Sequence, residues 1–159
     1  MKLIPLTQGQ FAKVDDEDYE WLMQFSWQAR WSKRTKSFYA SRFTSRTLGD
    51  RHLIQMHREI MQTPKGMDCD HIHHDTLDNR KSELRNCTHS QNSMNRKGAV
   101  ADSKTGVLGV YNKKPGKFQV NIKVDGRNVQ IGTFSSIEEA ILVRREAEKK
   151  YYGEFANSN

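Results

Sequence analysis

The chain has 159 residues and a net charge of +7, because 26 Lys and Arg outnumber 19 Asp and Glu. No apolar run is long enough to span a bilayer, two cysteines are too few for a disulfide framework, and residues 1–5 are too soon interrupted for a signal peptide. We therefore expect a cytoplasmic protein without a membrane partner. Its length allows one domain or two or three small modules.

The first third of the sequence predicts short strands and helices. A hairpin turns at Gln8-Gly9, and the acidic run 15–18 supplies the N-cap and first turn of a helix that ends near Phe25. The other predicted elements of this third are strands at 27–31, 38–43 and 52–54 and a helix at 56–61. Its aromatic side chains suit core packing better than stacking on bases.

The central segment predicts a strand, a loop, a second strand and a helix. The first strand covers 67–72, the polar loop covers 76–82 and the second strand covers 84–87. Thr88 is then the N-cap of a helix that runs to about Lys97. Such a unit can return its helix to the first strand.

Three side chains of this segment have the chemistry of phosphodiester hydrolysis. That reaction needs a base to activate water and a hard cation to neutralise charge on the phosphate and the leaving oxygen. His71 can be the base. Asp70 and Asn92, at the fourth helical position, can hold Mg²⁺, which takes few oxygen ligands from protein.

Two other interpretations of the segment stay open. One is an exposed polar hairpin with incidental histidines. The other is a structural zinc site, although a Cys-x₂₋₄-Cys pair is missing. The side chains that would serve a zinc site are Cys69, Cys87, His71, His73, His74 and His89.

Residues 67–97 resemble the HNH nuclease motif, a strand–loop–strand–helix unit that holds one divalent metal. The resemblance implies that His71 is the general base, that Asp70 and Asn92 bind one Mg²⁺ or Mn²⁺ ion, and that cleavage leaves 5′-phosphate and 3′-hydroxyl ends. The matching elements follow the family's order and spacing: Asp70-His71, Asp78-Asn79-Arg80, Leu84-Arg85 and Thr88-His89-x-x-Asn92.

One position departs from the motif. Many relatives have Asn just before Leu-Arg, where it braces the long loop, and this chain has Glu83. Either Asn79 takes over the bracing or the loop is looser. We place Asn79 and Arg85 with His71 among the catalytic residues. Arg80 or Arg85 would steady the phosphate, and a loop salt bridge is the equal alternative for either.

The last third predicts a three-stranded sheet covered by a helix. Polar residues 99–104 form a linker, and turns at Pro115-Gly116 and Asp125-Gly126 separate the strands. A capping box at Ser136 and Glu139 begins the helix, whose apolar positions would cover one face of the sheet. The predicted strands are 107–111, 118–124 and 128–134, and the helix is 137–151.

The opposite face of that sheet is polar, and a sheet can lie in the major groove of DNA, where such side chains contact base edges. A solvated face is the simpler alternative. The segment resembles the plant ethylene-response-factor type DNA-binding domain, which is found appended to phage HNH nucleases. The matching stretches are 106–110, 131–134, 138–140 and 152–156.

Positive charge is concentrated in the second half of the chain, with ten Lys and Arg between Arg80 and Lys123 against Glu83 and Asp102. Clustering of one sign attracts polyanions through counterion release, so we expect double-stranded DNA as the partner. The expected DNA-contacting residues are Arg80, Arg96, Lys97, Lys113, Lys114, Gln119, Asn121, Lys123, Arg127 and Gln130.

Together these patterns predict an α+β fold of small modules and a metal-dependent, homing-type DNA endonuclease that acts as a monomer in a bacterial or phage-infected cell. The first third also resembles the region that precedes the motif in phage-borne and intron endonucleases. A catalytically weak or inactive DNA-binding regulator is the alternative, and a zinc-stabilised structural or RNA-binding protein comes third. The predicted parts are 1–62, the nuclease motif 63–98, a linker 99–105 and the DNA-binding domain 106–159.

Overall fold

The structure, a computed structural model, describes residues 1–44, 51–96, 98 and 103–157. It confirms the α+β class, since short antiparallel sheets alternate with helices along the chain. Contacts divide the chain into two compact units, Met1–His89 and Ser90–Asn159. This division falls before the predicted linker, of which residues 99–102 lie outside the described part. Within the described residues, no helix combines the length and apolar character needed to cross a membrane.

The first unit contains three small antiparallel sheets, which pair β1 with β2, β4 with both β3 and β5, and β6 with β7. The predicted strands and helices of this part are confirmed to within a few residues. Its elements are β1 (Lys2–Pro5), β2 (Phe11–Val14), α1 (Asp16–Leu22), β3 (Gln28–Ser32), β4 (Ser37–Phe43), β5 (Leu53–Gln55), α2 (Met56–Ile60), β6 (Asp68–His71) and β7 (Leu84–Cys87).

One core joins the three sheets of this unit. In the β1–β2 hairpin, Ile4 and Ala12 face each other across the register and are buried, whereas Leu3 is exposed. This alternation is the period of two that a half-buried strand requires. The core also draws on α1, β4, α2 and β7 through Leu22, Ala40, Met56 and Leu84, and on Trp27, which precedes β3.

The acidic start of α1 does more than begin a helix. Asp15 occupies the N-cap position, but its side chain makes no cap hydrogen bond. Its Oδ2 instead accepts from the Lys81 backbone N–H at 2.8 Å. The Lys81 ammonium pairs with Glu17 and, at 3.3 Å, with Asp18. The acidic run therefore supplies the predicted N-cap position and first turn, but the Asp15 carboxylate holds the turn that precedes β7 instead of capping the helix.

The second unit is a three-stranded antiparallel sheet with one long helix packed on it. Val110, Val120 and Ala140 form one buried cluster. A second cluster joins Ile122, Ala147 and Tyr152, with Met94 packed against it. The elements are α3 (His89–Met94), which begins at the unit boundary, β8 (Val110–Lys114), β9 (Lys117–Val124), β10 (Arg127–Phe134) and α4 (Ile137–Tyr152).

Two predicted boundaries in this unit differ from the structure. The first strand was predicted at 107–111 but begins at Val110, because Gly109 has φ +75° and ends the preceding turn. A Cβ at Gly109 would lie 2.3 Å from Arg144 Nε, so only glycine fits. Helix α3 ends at Met94, before the predicted end at Lys97. Lys97 lies outside the described part of the chain.

Arg144 is a buried cation on the inner side of α4 that the apolar pattern did not predict. Its Nε donates to the Leu108 carbonyl at 3.0 Å, and its Nη2 pairs with Glu148 at 3.0 Å. A buried charge is tolerated when it is paired and hydrogen-bonded in this way. Arg144 therefore fastens the turn before β8 to the helix.

Candidate functional site

The β6–β7 hairpin carries the two central candidates, Asp70 and His71, both nearly buried at 8% and 5% exposure. The register places Asp70 opposite Arg85, so the two side chains share a face of the hairpin. Arg85 donates to Asp70 Oδ2 from Nε at 3.1 Å and from Nη2 at 2.8 Å. Arg85 was expected either to steady the phosphate or to form a salt bridge. The structure shows a salt bridge, and its partner Asp70 is the expected metal ligand.

The His71 imidazole is enclosed by aromatic rings and one amide. Its ring centroid lies 4.8 Å from that of His57 and 6.0 Å from that of Tyr39. Burial lowers the pKa of His71, while a hydrogen bond with Asn79 and the nearby charge of Asp70 oppose this without cancelling it. The imidazole is therefore neutral at neutral pH, the form in which it accepts a proton.

The backbone of β2 places Asn79 beside His71. Lys13 N–H donates to the Leu77 carbonyl at 2.9 Å, and Asn79 N–H donates back to the Lys13 carbonyl at 2.8 Å. The Asn79 side chain is fully buried, and its Nδ2 donates to Leu77 O at 3.1 Å. With Nδ2 engaged, the amide oxygen is the group that can accept from the imidazole.

The loop between β6 and β7 is also held by ion pairs. Arg80 contacts both carboxylate oxygens of Asp78, at 2.8 and 2.6 Å. Burial raises the pKa of Asp78, but the hydrogen bonds from Arg80 outweigh this and hold it below its ordinary value. Lys13 pairs with Asp75 at 2.8 Å, and Thr76 Oγ1 donates to the Phe38 carbonyl at 2.6 Å. Arg80 thus takes the salt-bridge alternative here.

Glu83, the departure from the motif, has defined partners. Its Oε2 lies 2.6 Å from His73 Nδ1, and its Oε1 lies 3.8 Å from Arg80 Nη2. Its backbone carbonyl accepts from Ile72 N–H at 2.9 Å. The Glu83 carboxylate, just before β7, therefore contacts His73, just after β6, and so links the two ends of the loop. Many relatives have a bracing amide at this position of the motif.

We expect a double-mutant cycle of Glu83→Leu and His73→Ala to give a coupling free energy of about 0.5–1 kcal/mol, because the His73 side chain is 57% exposed and such pairs are weak. The measurement is the urea midpoint of the two single variants and the double variant. Glu83→Gln is the matched control, since an amide can still accept from the ring. Strict additivity would show that the contact contributes nothing.

Among the residues of the hairpin, Asp70 is the expected ligand of an oxygen-liganded cation. Among residues 1–44, 51–96, 98 and 103–157, no set of three His, Cys, Asp or Glu side chains is placed to hold a metal. Mg²⁺ can be bound by few protein side chains, because waters and phosphate oxygens supply its other ligands. Asn92, the second expected ligand, lies half-buried on α3 and belongs to the second unit.

The two cysteines behave as core side chains. Burial raises the pKa of Cys69 and of Cys87 to about 11 in each case. Cys69 Sγ donates to the His57 carbonyl at 3.5 Å.

In the second unit the polar face of the sheet carries a chain of amides. Gln119 Nε2 donates to Asn121 Oδ1 at 2.9 Å and to Gln130 Oε1 at 3.1 Å. The register adds two side chains to this face, Tyr111 opposite Gln119 and Asn128 opposite Lys123. The sequence prediction missed both. Side chains of a strand alternate between its two faces, so counting in steps of two from Gln130 would have placed Asn128 on the polar face.

The expected phosphate-contacting cations are on the surface. Arg96 follows α3, Lys113 and Lys114 end β8, and Lys123 and Arg127 flank the β9–β10 turn, all of them exposed. Lys97 lies outside the described residues. Arg80, another cation expected to contact DNA, is instead half-buried and paired with Asp78 in the loop between β6 and β7. No family model, curated protein or solved structure matches the chain.

Proposed function

We propose that the protein is a metal-dependent DNA endonuclease of the HNH type that hydrolyses phosphodiester bonds in double-stranded DNA. One observation carries the proposal. A buried, neutral His71 imidazole lies beside the buried Asn79 amide and directly follows the buried carboxylate Asp70. Perturbed, enclosed titratable groups of complementary chemistry are typical of catalytic sites.

In this mechanism His71 removes a proton from the attacking water, and Asn79 holds the ring in the orientation that leaves one nitrogen for that proton. Asp70 would supply a ligand to one Mg²⁺ or Mn²⁺ ion, which when bound neutralises charge on the scissile phosphate and the 3′ oxygen. The sequence resemblance implies Asn92 as the second ligand. Arg85 keeps the Asp70 carboxylate in a fixed orientation through its two hydrogen bonds.

The second unit would bind the DNA through the polar face of its sheet. Amide side chains such as Gln119 and Asn121 can contact base edges, and exposed cations such as Lys113 can contact phosphates. The mutual hydrogen bonds of the amides support this proposal because they fix the side chains before DNA binds.

We expect Gln119→Ala or Arg127→Ala to weaken binding to the preferred duplex by about 1–3 kcal/mol if the residue makes a bidentate base contact. Lys113→Ala or Lys114→Ala should instead weaken binding to every duplex alike and flatten its salt dependence. Binding titrations at several salt concentrations, on preferred and scrambled duplexes, separate the two classes. Unchanged affinity in all four variants would remove the sheet from the interface.

The test of the nuclease activity is incubation of plasmid and phage DNA with the full chain, with Mg²⁺, with Mn²⁺ and with a chelator. We expect nicking or cutting that requires the metal. Asp70→Ala should lower the metal-dependent rate more than Asn92→Ala, because the carboxylate supplies the charge. DNA binding without cleavage under every metal condition would favour the regulator, and loss of activity in His74→Ala but not in Asp70→Ala would overturn the ligand assignment.

A further inference from the structure

His57, on α2, is a buried imidazole for which the proposed hydrolysis has no use. It is 4% exposed, and its Nδ1 is enclosed without a hydrogen-bond partner among the described residues. Burial, followed by the charges of His71 and Arg58, lowers the pKa of His57 to about 3. A neutral ring with an unsatisfied buried nitrogen is less favourable than an apolar side chain in the same place. Core packing alone therefore does not account for a histidine here.

The surroundings of His57 indicate what it does. Its ring meets that of His71 at a centroid distance of 4.8 Å with the planes at 65°. Tyr39 completes the group, 5.9 Å from His57 and 6.0 Å from His71. Both contacts of the His71 ring are edge-to-face, and the Tyr39 and His57 rings are tilted at 54°. The three rings come from α2, β4 and β6, so each is fixed by a different element.

A general base acts only when its nitrogen stays within hydrogen-bond reach of the water, so the plane of the ring matters as much as its position. The Asn79 amide lies beside one edge of the His71 ring. A single neighbouring amide still allows the ring to rotate about its own Cβ–Cγ bond. Contact with a second flat ring blocks that rotation.

We propose that His57 is a positioning residue which, together with Tyr39, fixes the ring plane of His71. The proposal rests on the proposed role of His71 as the general base. His57 itself touches neither DNA nor metal in this scheme. Its neutrality across the working pH range matters because it brings no charge next to the base.

The test compares His57→Leu, which removes the ring at similar volume, with His57→Phe, which keeps a ring. We expect His57→Leu to lower the cleavage rate about 10- to 100-fold at unchanged affinity for DNA, since small misplacements of a catalytic group have effects of this size. His57→Phe should recover most of the rate. Ile60→Val, on the same helix and buried, is the control for a general loss of packing and should leave the rate unchanged.

The second measurement is the ¹⁵N–¹H ring spectrum of His71 in protein without DNA or metal. We expect one sharp set of ring signals in wild-type protein, in Ile60→Val and in His57→Phe, and shifted or exchange-broadened signals in His57→Leu. An unchanged His71 spectrum in folded His57→Leu would overturn the positioning role. The role would also be overturned if His57→Leu and His57→Phe lost cleavage rate equally and in proportion to the fall in their urea midpoints. If wild-type protein fails to cut DNA, the proposed function fails, while the spectra still decide whether His57 positions His71.

Discussion

Replacing His71 by Ala is expected to lower the rate of metal-dependent DNA cleavage about 10²- to 10⁴-fold, the usual contribution of a general base. Binding of duplex DNA should remain within about twofold, because a neutral and buried imidazole adds little to phosphate affinity. The rate is measured under single-turnover conditions with saturating protein, and the dissociation constant is measured in a chelator so that cleavage does not interfere.

His52→Ala is the matched control for this experiment, since it removes an exposed imidazole from the same unit. Its rate should equal that of wild-type protein. Added imidazole should partly restore cleavage by His71→Ala, because removal of the ring leaves space for a soluble base. Wild-type rates in His71→Ala would remove His71 from the mechanism altogether.

The first unit is expected to lose stability steeply in mild acid because of His57. The unfolded chain binds a proton at this residue near pH 6.5, whereas the folded chain resists protonation until about pH 3. Between these values the unfolded state binds more protons, so the free energy of unfolding falls as the pH falls. The loss amounts to at most about 1.4 kcal/mol for each pH unit. The lowered pKa of His71 acts in the same direction.

Tryptophan fluorescence gives a selective measurement of this effect, because all three Trp residues lie in the first unit. Urea titrations at pH 7, 6 and 5 should show a falling free energy of unfolding in wild-type protein. In His57→Leu the pH dependence should be shallower by the contribution of His57. Parallel pH dependence in the two proteins would show that His57 is protonated as easily in the folded state as in the unfolded state.

Local patterns predicted most of the elements. Alternation of apolar and polar residues identified β9, and the serine N-cap of α4 is confirmed by the hydrogen bond from Glu139 N–H to Ser136 Oγ at 3.3 Å. The strands that carry Asp70 and Arg85 were also predicted with nearly correct ends. These successes share a cause, since each depends on residues within a few positions of one another.

The surroundings of the candidate base could not be predicted in this way. Contact between His57 and His71, and the backbone pairing of Lys13 with the segment at Asn79, join residues far apart in sequence, and no periodic pattern marks them. The burial of Arg144 was also not predicted, because its local sequence suggested an exposed side chain. It follows an apolar run on a surface helix, where an arginine normally faces water, but Glu148 and the Leu108 carbonyl allow it to be buried.

The pairing of β2 with the segment around Asn79 makes the surroundings of His71 depend on the path of the opening hairpin. Asn79 lies beside His71 because the main chain of Lys13, from the first hairpin, holds it there. Main-chain hydrogen bonds do not depend on which side chain occupies the position, so the opening hairpin is free to change in sequence while its path is retained. A change that alters the path of the opening hairpin is therefore expected to move Asn79 relative to His71 even when both side chains are kept.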